Sequence, residues 1–435
     1  MIIRSARRIH GRIRVPGDKS ISHRAALIAA IANGVSHINN YSTSADCAAT
    51  LSCLEKLGVR IERHGHDITV HGIGRQGFSA PAGPLDCANS GTTMRLLAGI
   101  LAVHDFVSTL TGDDSLRSRP MQRIIEPLEM MGARISSQEG RAPLLIRGGA
   151  ALKPIDYELL TASAQVKSCI LLAGLNAKGK TTVIENEITR DHTERMLRWF
   201  AAETETGKAA REPESARFAA VTGPAQLRAR DVSVPGDISS AVYFIAAAAL
   251  LSESALQIYD VGLNSTRVAF LDQLHSMGFE VTVTGEPEES DEPRGNIFVR
   301  SLRPDIKGPF RIDGTIIPQL IDELPLLAVI GSQIEGGIEI RDAKELRVKE
   351  SDRIASTVAG LRSIGCEVKE FDDGLRVAGP TRLRGAKINP QGDHRIAMAF
   401  TVAALMAEGD SEIEGADCVA VSFPEFFDLL ESVVR

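Results

Sequence analysis

Six times along the chain an apolar helix end runs through a short turn into a strand start rich in β-branched residues. The copies are LIAAIANGVSHI from Leu27, LLAGILAVHDFVSTLTGD from Leu96, LLAGLNAKGKTTVIENE from Leu171, FIAAAALLSESALQIYD from Phe244, LLAVIGSQIEGGIEIRDA from Leu326 and FTVAALMAEGDSEIEGAD from Phe400. Self-similarity on this scale constrains the fold more than any single motif, because each copy is one supersecondary unit and the chain must fold as an array of them. A second pattern lies downstream in at least four copies: LEKLGVRI (54–61), LEMMGARI (128–135), LHSMGFEV (274–281) and LRSIGCEV (361–368). Each reads as a helix end, a glycine suited to the left-handed position that follows it, and a strand start. On a larger scale VPGDKSIS from Val15 returns as VPGDISSA from Val234, each time ahead of an alanine-rich helix. The expectation is an α/β protein of two similar halves, with three units in each.

The third copy contains GLNAKGKT (174–181), which fits the phosphate-binding pattern G-x-x-x-x-G-K-[ST] letter for letter. A true P-loop leaves a strand and opens a helix, so that backbone N–H groups face the phosphates. Here the order is reversed, since ASAQVKSCILLAG ends a helix and KTTVIENE begins a strand. The match is therefore expected to be a helix-to-strand turn with Gly179 at positive φ and exposed lysines.

With 435 residues the chain has room for two or three domains and needs no staples. A net charge of -7 argues against a general nucleic-acid binder. The basic N-terminal stretch MIIRSARRIHGRIRVPG lacks the apolar segment of a signal peptide, and the run Ala241–Leu251 is too short to cross a bilayer. Six cysteines without a C-x-x-C pair favour reduced thiols over disulfides or zinc. These features lead to the expectation of a cytoplasmic protein without a membrane partner.

Polar residues that interrupt the repeats are the informative ones, because a repeat needs only its apolar and turn positions to fold. In PGDKSISHRAALIAA (16–30), Lys19, Ser20 and Arg24 open a helix that is otherwise apolar, which suits an anion at a helix N-terminus. DCANSGTTMRLLAG (86–99) carries Asn89, Gly91 and Arg95, and reads equally as an ordinary capped helix start with Ser90 or Thr92 as the cap. DDSLRSRPMQRI (113–124) gathers Arg117, Arg119 and Arg123, with a solvated charge run as the plain alternative. TASAQVKS (161–168) and TRDHTERM (189–196) offer Ser163, Gln165, Thr189 and Arg190 to a phosphate. In the second half, IPQLIDELPLLAV, ELRVKESDRI and GDHRIAMAF place Asp322, Glu323 and Glu350 among Lys349, Arg353 and Arg395. Carboxylates among cations are what proton transfer on an anionic substrate requires. Asp322 also reads as a helix-terminal carboxylate and His394 as a structural histidine, with no spacing that supports a metal.

Taken in order, PGDKSISHR, NSGTTMR, SLRSRPM, SAQVKS, RDHTE, IDELP, RVKESDR and DHRIAMAF span nearly the whole chain. Together they resemble the motifs of the 5-enolpyruvylshikimate-3-phosphate synthase family, the 3-phosphoshikimate 1-carboxyvinyltransferases. The resemblance implies two similar domains, each of three βαβαββ repeats with pseudo-threefold symmetry, and an active site in the interdomain cleft. One domain would be discontinuous, residues 1–16 with 236–435, carrying the phosphoenolpyruvate side and the catalytic carboxylates. The other, residues 17–235, would carry the shikimate 3-phosphate side, with hinges near the two VPGD segments. The implied reaction transfers the enolpyruvyl group of phosphoenolpyruvate to the 5-hydroxyl of shikimate 3-phosphate and releases phosphate, on the route to chorismate and the aromatic amino acids. No cofactor or metal is expected, the partners are the two small substrates, the protein is expected to be monomeric, and glyphosate is the expected inhibitor.

Carried over by motif, Asp322, Glu350 and Lys19 would be catalytic. Lys19, Ser20, Arg24, Ser163, Ala164, Gln165, Thr189 or Arg190, Asp322 and Lys349 would bind shikimate 3-phosphate. Lys19, Asn89, Gly91, Arg119, Gln165, Arg353 and Arg395 would bind phosphoenolpyruvate. Four departures put single contacts in question: Ala164 stands where many members have serine, His192 where tyrosine is frequent, Val421 where some have lysine, and Leu96 where others have proline. Two rivals share part of this pattern. The UDP-N-acetylglucosamine enolpyruvyl transferases carry a catalytic cysteine on a loop, and none lies between Asp113 and Met121. A non-catalytic anion-binding paralogue would lose the carboxylates, and Asp322 and Glu350 are both present.

Overall fold

The computed structural model of the chain describes residues 1–213, 215–301 and 306–435. The fold is mixed α/β and follows from six inner helices: Lys19–Ile31, Gly91–Leu101, Ala164–Gly174, Ile238–Leu250, Leu324–Gly331 and His394–Met406. Each is the apolar helix end of one sequence copy, and each is buried over nearly its whole length. A helix that is apolar on every side is stable only when covered on every side. Each inner helix therefore needs its own sheet as well as its neighbours.

Six sheets provide that cover, five of four strands and one of three. In four of them the strand before an inner helix pairs parallel with the strand after it. Leu85–Asp86 with Val107–Thr111 and Asp156–Glu158 with Gly179–Glu185 are two examples. The four-stranded sheets continue with antiparallel partners, as where Gly179–Glu185 lies against Arg217–Gly223 and that strand against Thr204–Lys208. The four expected glycines follow outer helices with φ of 92° at Gly58, 102° at Gly132, 90° at Gly278 and 96° at Gly365. Gly179 has φ 135° in the turn between the Ala164–Gly174 helix and its strand, flanked by exposed Lys178 and Lys180. The GLNAKGKT segment is thus a helix-to-strand turn and not a P-loop.

The remaining two inner helices exchange partners. Strand His10–Ile13 precedes the Lys19–Ile31 helix but pairs parallel with Ala255–Gly262, the strand after the Ile238–Leu250 helix. Strand Val232–Ser233 precedes the Ile238–Leu250 helix but pairs parallel with Asn33–Asn39. The three-stranded sheet is completed by Ile2–Ile3, antiparallel to Ser411–Ile413, where the other units use a hairpin after the outer helix.

The chain divides into two compact units, the first Met1–Pro16, Pro235–Pro287 and Pro293–Arg435, the second Gly17–Val234 with Glu288–Glu292. Each contains three sheets and its own continuous apolar core. In the first unit the three inner helices pack against one another pairwise. In the second, the Gly91–Leu101 and Ala164–Gly174 helices approach so closely that a Cβ on Gly99 would stand 2.3 Å from the carbonyl oxygen of Cys169.

That approach is testable. Alanine in place of glycine favours a helix by about 1 kcal/mol, whereas overpacking costs about 1–3 kcal/mol. Gly99→Ala is expected to lose stability despite its better helix propensity, and Gly99→Val to lose more. Urea unfolding followed by circular dichroism checks both, and a stabilised Gly99→Ala would show that the helices can part at no cost.

Candidate active site

The polar residues singled out in the sequence lie mainly at the N-termini of inner helices, where four backbone N–H groups lack intrahelical partners. In the second unit Asp18 caps the Lys19–Ile31 helix, accepting from Ile21 N at 2.9 Å. Lys19, with 17% of its side chain exposed, is held by Asp46 at 2.8 Å. Arg24 is only 2% exposed. Its guanidinium donates to Thr193 Oγ1 at 2.7 Å, to the Ser20 carbonyl at 2.9 Å and to Ser168 Oγ at 2.9 Å. Burial pushes its pKa down to about 10, opposed by Glu194 and reinforced by Arg190. Arg190 reaches Ser20 Oγ at 3.4 Å, which brings the TRDHTE loop to the PGDKS turn.

A second group in this unit forms around Gly91. Ser90 is the helix cap, accepting from Thr93 N at 3.1 Å, so the capping alternative holds for Ser90 and leaves Asn89 and Gly91 to other roles. Arg119, 7% exposed, donates to Asn89 Oδ1 at 2.7 Å and to Ser115 Oγ at 3.2 Å, while Asn89 donates to Asp113 at 2.8 Å. Arg95 donates to Gln165 Oε1, and Gln165 donates to Thr92 Oγ1 at 2.9 Å. The amide of Gln165 is therefore oriented from two sides. A Cβ on Gly91 would stand 2.8 Å from Arg95 Nη1 and 3.5 Å from Arg119 Nη1, so the missing side chain lets two guanidiniums flank the backbone. Arg117 instead pairs with Asp114 at the surface, which is the solvated reading of that run. Ser163 caps the Ala164–Gly174 helix and accepts from Val166 N at 3.4 Å. Both donors of Thr189, its N–H at 3.3 Å and its hydroxyl at 2.6 Å, go to Glu185 Oε2.

The first unit gathers the carboxylates. Arg353 opens the Arg353–Ser363 helix and is 1% exposed. Its three nitrogens serve three acids: Nη1 to Asp322 at 3.0 Å, Nη2 to Glu350 at 2.6 Å and Nε to Asp393 at 2.8 Å. Burial opposes the charge on Arg353, but Asp393, Glu350 and Asp322 outweigh it and raise its pKa. Arg395 lies 3.9 Å from the other oxygen of Asp322 and donates to the Ser239 carbonyl at 2.9 Å. Its pKa too is raised against burial, by Tyr243, Asp322 and Glu323. Asp322 thus stands between two guanidiniums. Lys349 has its pKa lowered by burial, partly offset by Glu345 and Asp322. Glu323 accepts from Ser239 Oγ, and Asp393 caps the His394–Met406 helix, so both acids are structural anchors at helix starts.

Several contributors carried no signal of their own in the sequence. Asp46, Ser168, Glu185, Thr193 and Asp393 touch the expected site residues; Ser168, Thr193 and Asp393 lie inside the polar motifs already quoted but carry no role there, and Asp46 and Glu185 lie outside them. His192, at the position where tyrosine is frequent, shares a hydrogen bond of 2.7 Å with Glu292 within the second unit.

Each unit thus presents buried guanidiniums beside oriented polar groups, and the first adds three carboxylates on one arginine. Anion binding coupled to proton transfer is the chemistry these sets can perform. The sequence pattern described as EPSP synthase (3-phosphoshikimate 1-carboxyvinyltransferase) matches residues 3–430. A 3-phosphoshikimate 1-carboxyvinyltransferase of Koribacter versatilis is 51% identical over 435 residues, covering 100% of this chain and 99% of its own. One of Desulfitobacterium hafniense is 49% identical over 430 residues, covering 98% and 96%. Among solved structures, the EPSP synthase of Acinetobacter baumannii superposes with a TM-score of 0.86 at 40% identity, covering 100% of this chain and 97% of that one. The enolpyruvyl transferase NikO of Streptomyces tendae, at 20% identity and a TM-score of 0.79 over 99% and 96%, shares the fold. With its motifs in order and its full length matched, the chain belongs to the EPSP synthase family.

Proposed function

We propose that the protein transfers the enolpyruvyl group of phosphoenolpyruvate to the 5-hydroxyl of shikimate 3-phosphate, with Asp322 and Glu350 as the proton-transfer groups. The observation that carries this reading is the single buried guanidinium of Arg353 holding both carboxylates, at 3.0 and 2.6 Å. One cation fixes two acids in a set relation to each other, as a two-proton reaction needs.

In this reading the 5-hydroxyl gives its proton to Asp322 as its oxygen attacks C2 of phosphoenolpyruvate. The methylene carbon takes a proton from Glu350 assisted by Lys19, which leaves a tetrahedral adduct. Glu350 then takes a proton back from the new methyl group, and the electron pair left behind restores the double bond as the bond to phosphate breaks and phosphate leaves. The second unit contributes Lys19, Ser20, Arg24, Ser163, Ala164 through its backbone, Gln165 and the Thr189–Arg190 loop toward shikimate 3-phosphate, together with Lys349 of the first. Asn89, Gly91, Arg119 and Gln165, with Arg353 and Arg395, serve phosphoenolpyruvate. Each charged contact to a substrate oxyanion contributes about 1.5–3 kcal/mol. Arg353 already serves three acids, so it must release part of its contact with Asp322 or Glu350 to hold a substrate carboxylate. Binding is thereby coupled to freeing the acid that reacts, and contacts that strengthen only in the transition state raise turnover.

Purified protein is expected to release phosphate only when both substrates are present, and to do so with a chelator in the buffer. Release from ATP alone, or a strict need for a divalent ion, would remove the assignment. The Asp322→Asn variant keeps an oxygen for Arg353 but cannot accept the hydroxyl proton, so turnover should fall by roughly 100-fold or more with substrate binding retained. Unchanged turnover in the folded variant would reduce Asp322 to an anchor for Arg353.

Gly91→Ala adds a methyl group 2.8 Å from Arg95 Nη1. The inhibitor glyphosate is longer than phosphoenolpyruvate, so the methyl should obstruct it more than the substrate, a discrimination made by a clash and not by a new attraction. Inhibition competitive with phosphoenolpyruvate is expected for the wild type, and a larger rise in the inhibition constant than in KM for Gly91→Ala. Equal shifts in steady-state curves would mean that Gly91 serves the helix start alone.

A further inference from the structure

A lysine is enclosed where an otherwise apolar helix would take a leucine. Lys167 lies in the first turns of the Ala164–Gly174 helix with 1% of its side chain exposed, and among the described residues it is the one lysine so buried. Its ammonium is 3.0 Å from each carboxylate oxygen of Glu185 and 2.8 Å from Oε1 of Glu194. Glu185 ends the Gly179–Glu185 strand, and Glu194 is in the first turn of the His192–Trp199 helix. One cation therefore fastens both ends of the loop 186–191 to the inner helix.

Stability alone is a weak reason for this cluster. Taking three ions out of water is costly, and apolar side chains of similar volume in such places are often neutral or stabilising. What the cluster supplies is direction. Glu185 Oε2 receives the N–H and the hydroxyl proton of Thr189, which sets the conformation of the loop that carries Arg190. On the other side, Ser168 follows Lys167 and Thr193 precedes Glu194. Ser168 Oγ donates to the Ala164 carbonyl at 2.6 Å and lies 2.6 Å from Thr193 Oγ1, and these two hydroxyls receive Arg24 at 2.9 and 2.7 Å. The groups arranged around Lys167 are those assigned above to shikimate 3-phosphate, and none is among those assigned to phosphoenolpyruvate alone.

We propose that Lys167 is a positioning residue for the phosphate of shikimate 3-phosphate: through Glu185 and Glu194 it fixes the Thr189–Arg190 loop and the bed of Arg24 without touching the substrate. The proposal rests on the functional reading above. It also assigns the hydroxyl of Thr189 to Glu185 and not to the phosphate.

The test begins with calorimetric titration of wild type by shikimate 3-phosphate alone. Absence of binding there would refute the functional reading itself, before any variant is compared. With binding established, Glu185→Gln, Thr189→Val, their combination and Thr189→Ser are measured for Kd, for both KM values and for kcat. Glu185→Gln and Thr189→Val should each weaken shikimate 3-phosphate by about 10-fold, the scale of one hydrogen bond to a charged group, with KM for phosphoenolpyruvate and kcat within about 3-fold. The combination should be no worse than either alone, because both break the same link. Thr189→Ser, which keeps the hydroxyl, should match wild type. The pair Lys167→Met/Glu185→Gln removes one charge of each sign and should show the same loss of shikimate 3-phosphate. Multiplying effects in the combination would place Thr189 on the phosphate and overturn the proposal. Equal losses for both substrates, or a lower Tm with unchanged Kd, would overturn it as well, since the cluster would then serve the fold alone.

Discussion

A helix without a polar face can meet water only at its ends, and this constraint organises the whole chain. The six inner helices are covered along their sides by sheets and by one another, so the polar chemistry of each collects at its N-terminus. Five of the six are capped there by a side chain, Asp18, Ser90, Ser163, Asp237 or Asp393, and Leu324–Gly331 carries proline in its first turn instead. Lys19, Arg24, Asp322 and Arg395, proposed to act on substrate, lie within a turn or two of these helix starts. Helix N-termini attract negative charge through their dipoles and orphan N–H groups. Burial of the helix sides and assembly of an anion site are thus two results of one arrangement.

The same burial requires that every guanidinium carried into the interior be answered there. Arg24 is met by two hydroxyls and a carbonyl, Arg119 by an amide and a hydroxyl, and Arg353 by three carboxylates. The hydrogen-bond partners of Arg24 are neutral, a setting that favours a phosphate. The acids of the first unit compensate the charge of Arg353 and supply proton acceptors.

The repeats were legible because their signals are local. An apolar run, a glycine for a left-handed turn and β-branched residues all fall close together in the chain, and element order alone disposed of the GLNAKGKT match. Long-range pairing left no such mark. The family resemblance assigned residues 1–16 to the later half of the chain, but nothing in HGRI itself names Ala255–Gly262 as its partner strand. The cations were recognised as a set but not by depth. Arg117 and Arg119 are close neighbours in the chain, yet one is solvated and the other enclosed, because the short Asp114–Ser118 helix ends between them. Lys167 gave no signal, since one lysine in an apolar helix reads as a surface residue until Glu185 and Glu194 are seen beside it.

The exchange of strands between the two VPGD segments has a consequence for synthesis on the ribosome. All strands of the three sheets in the second unit come from residues 33–233, so that unit can acquire its sheets while the chain is still growing. Strand His10–Ile13 is made earlier, but its partner Ala255–Gly262 follows only after all three sheets of that unit. At about 5–20 residues per second it waits on the order of tens of seconds with its backbone donors and acceptors exposed. Ile2–Ile3 waits longer still, for Ser411–Ile413. The waiting segment carries Arg4, Arg7, Arg8, Arg12 and Arg14, a density of like charge that opposes pairing with the wrong edge. The order of translation therefore makes the second unit the early folder and leaves the first to be completed last.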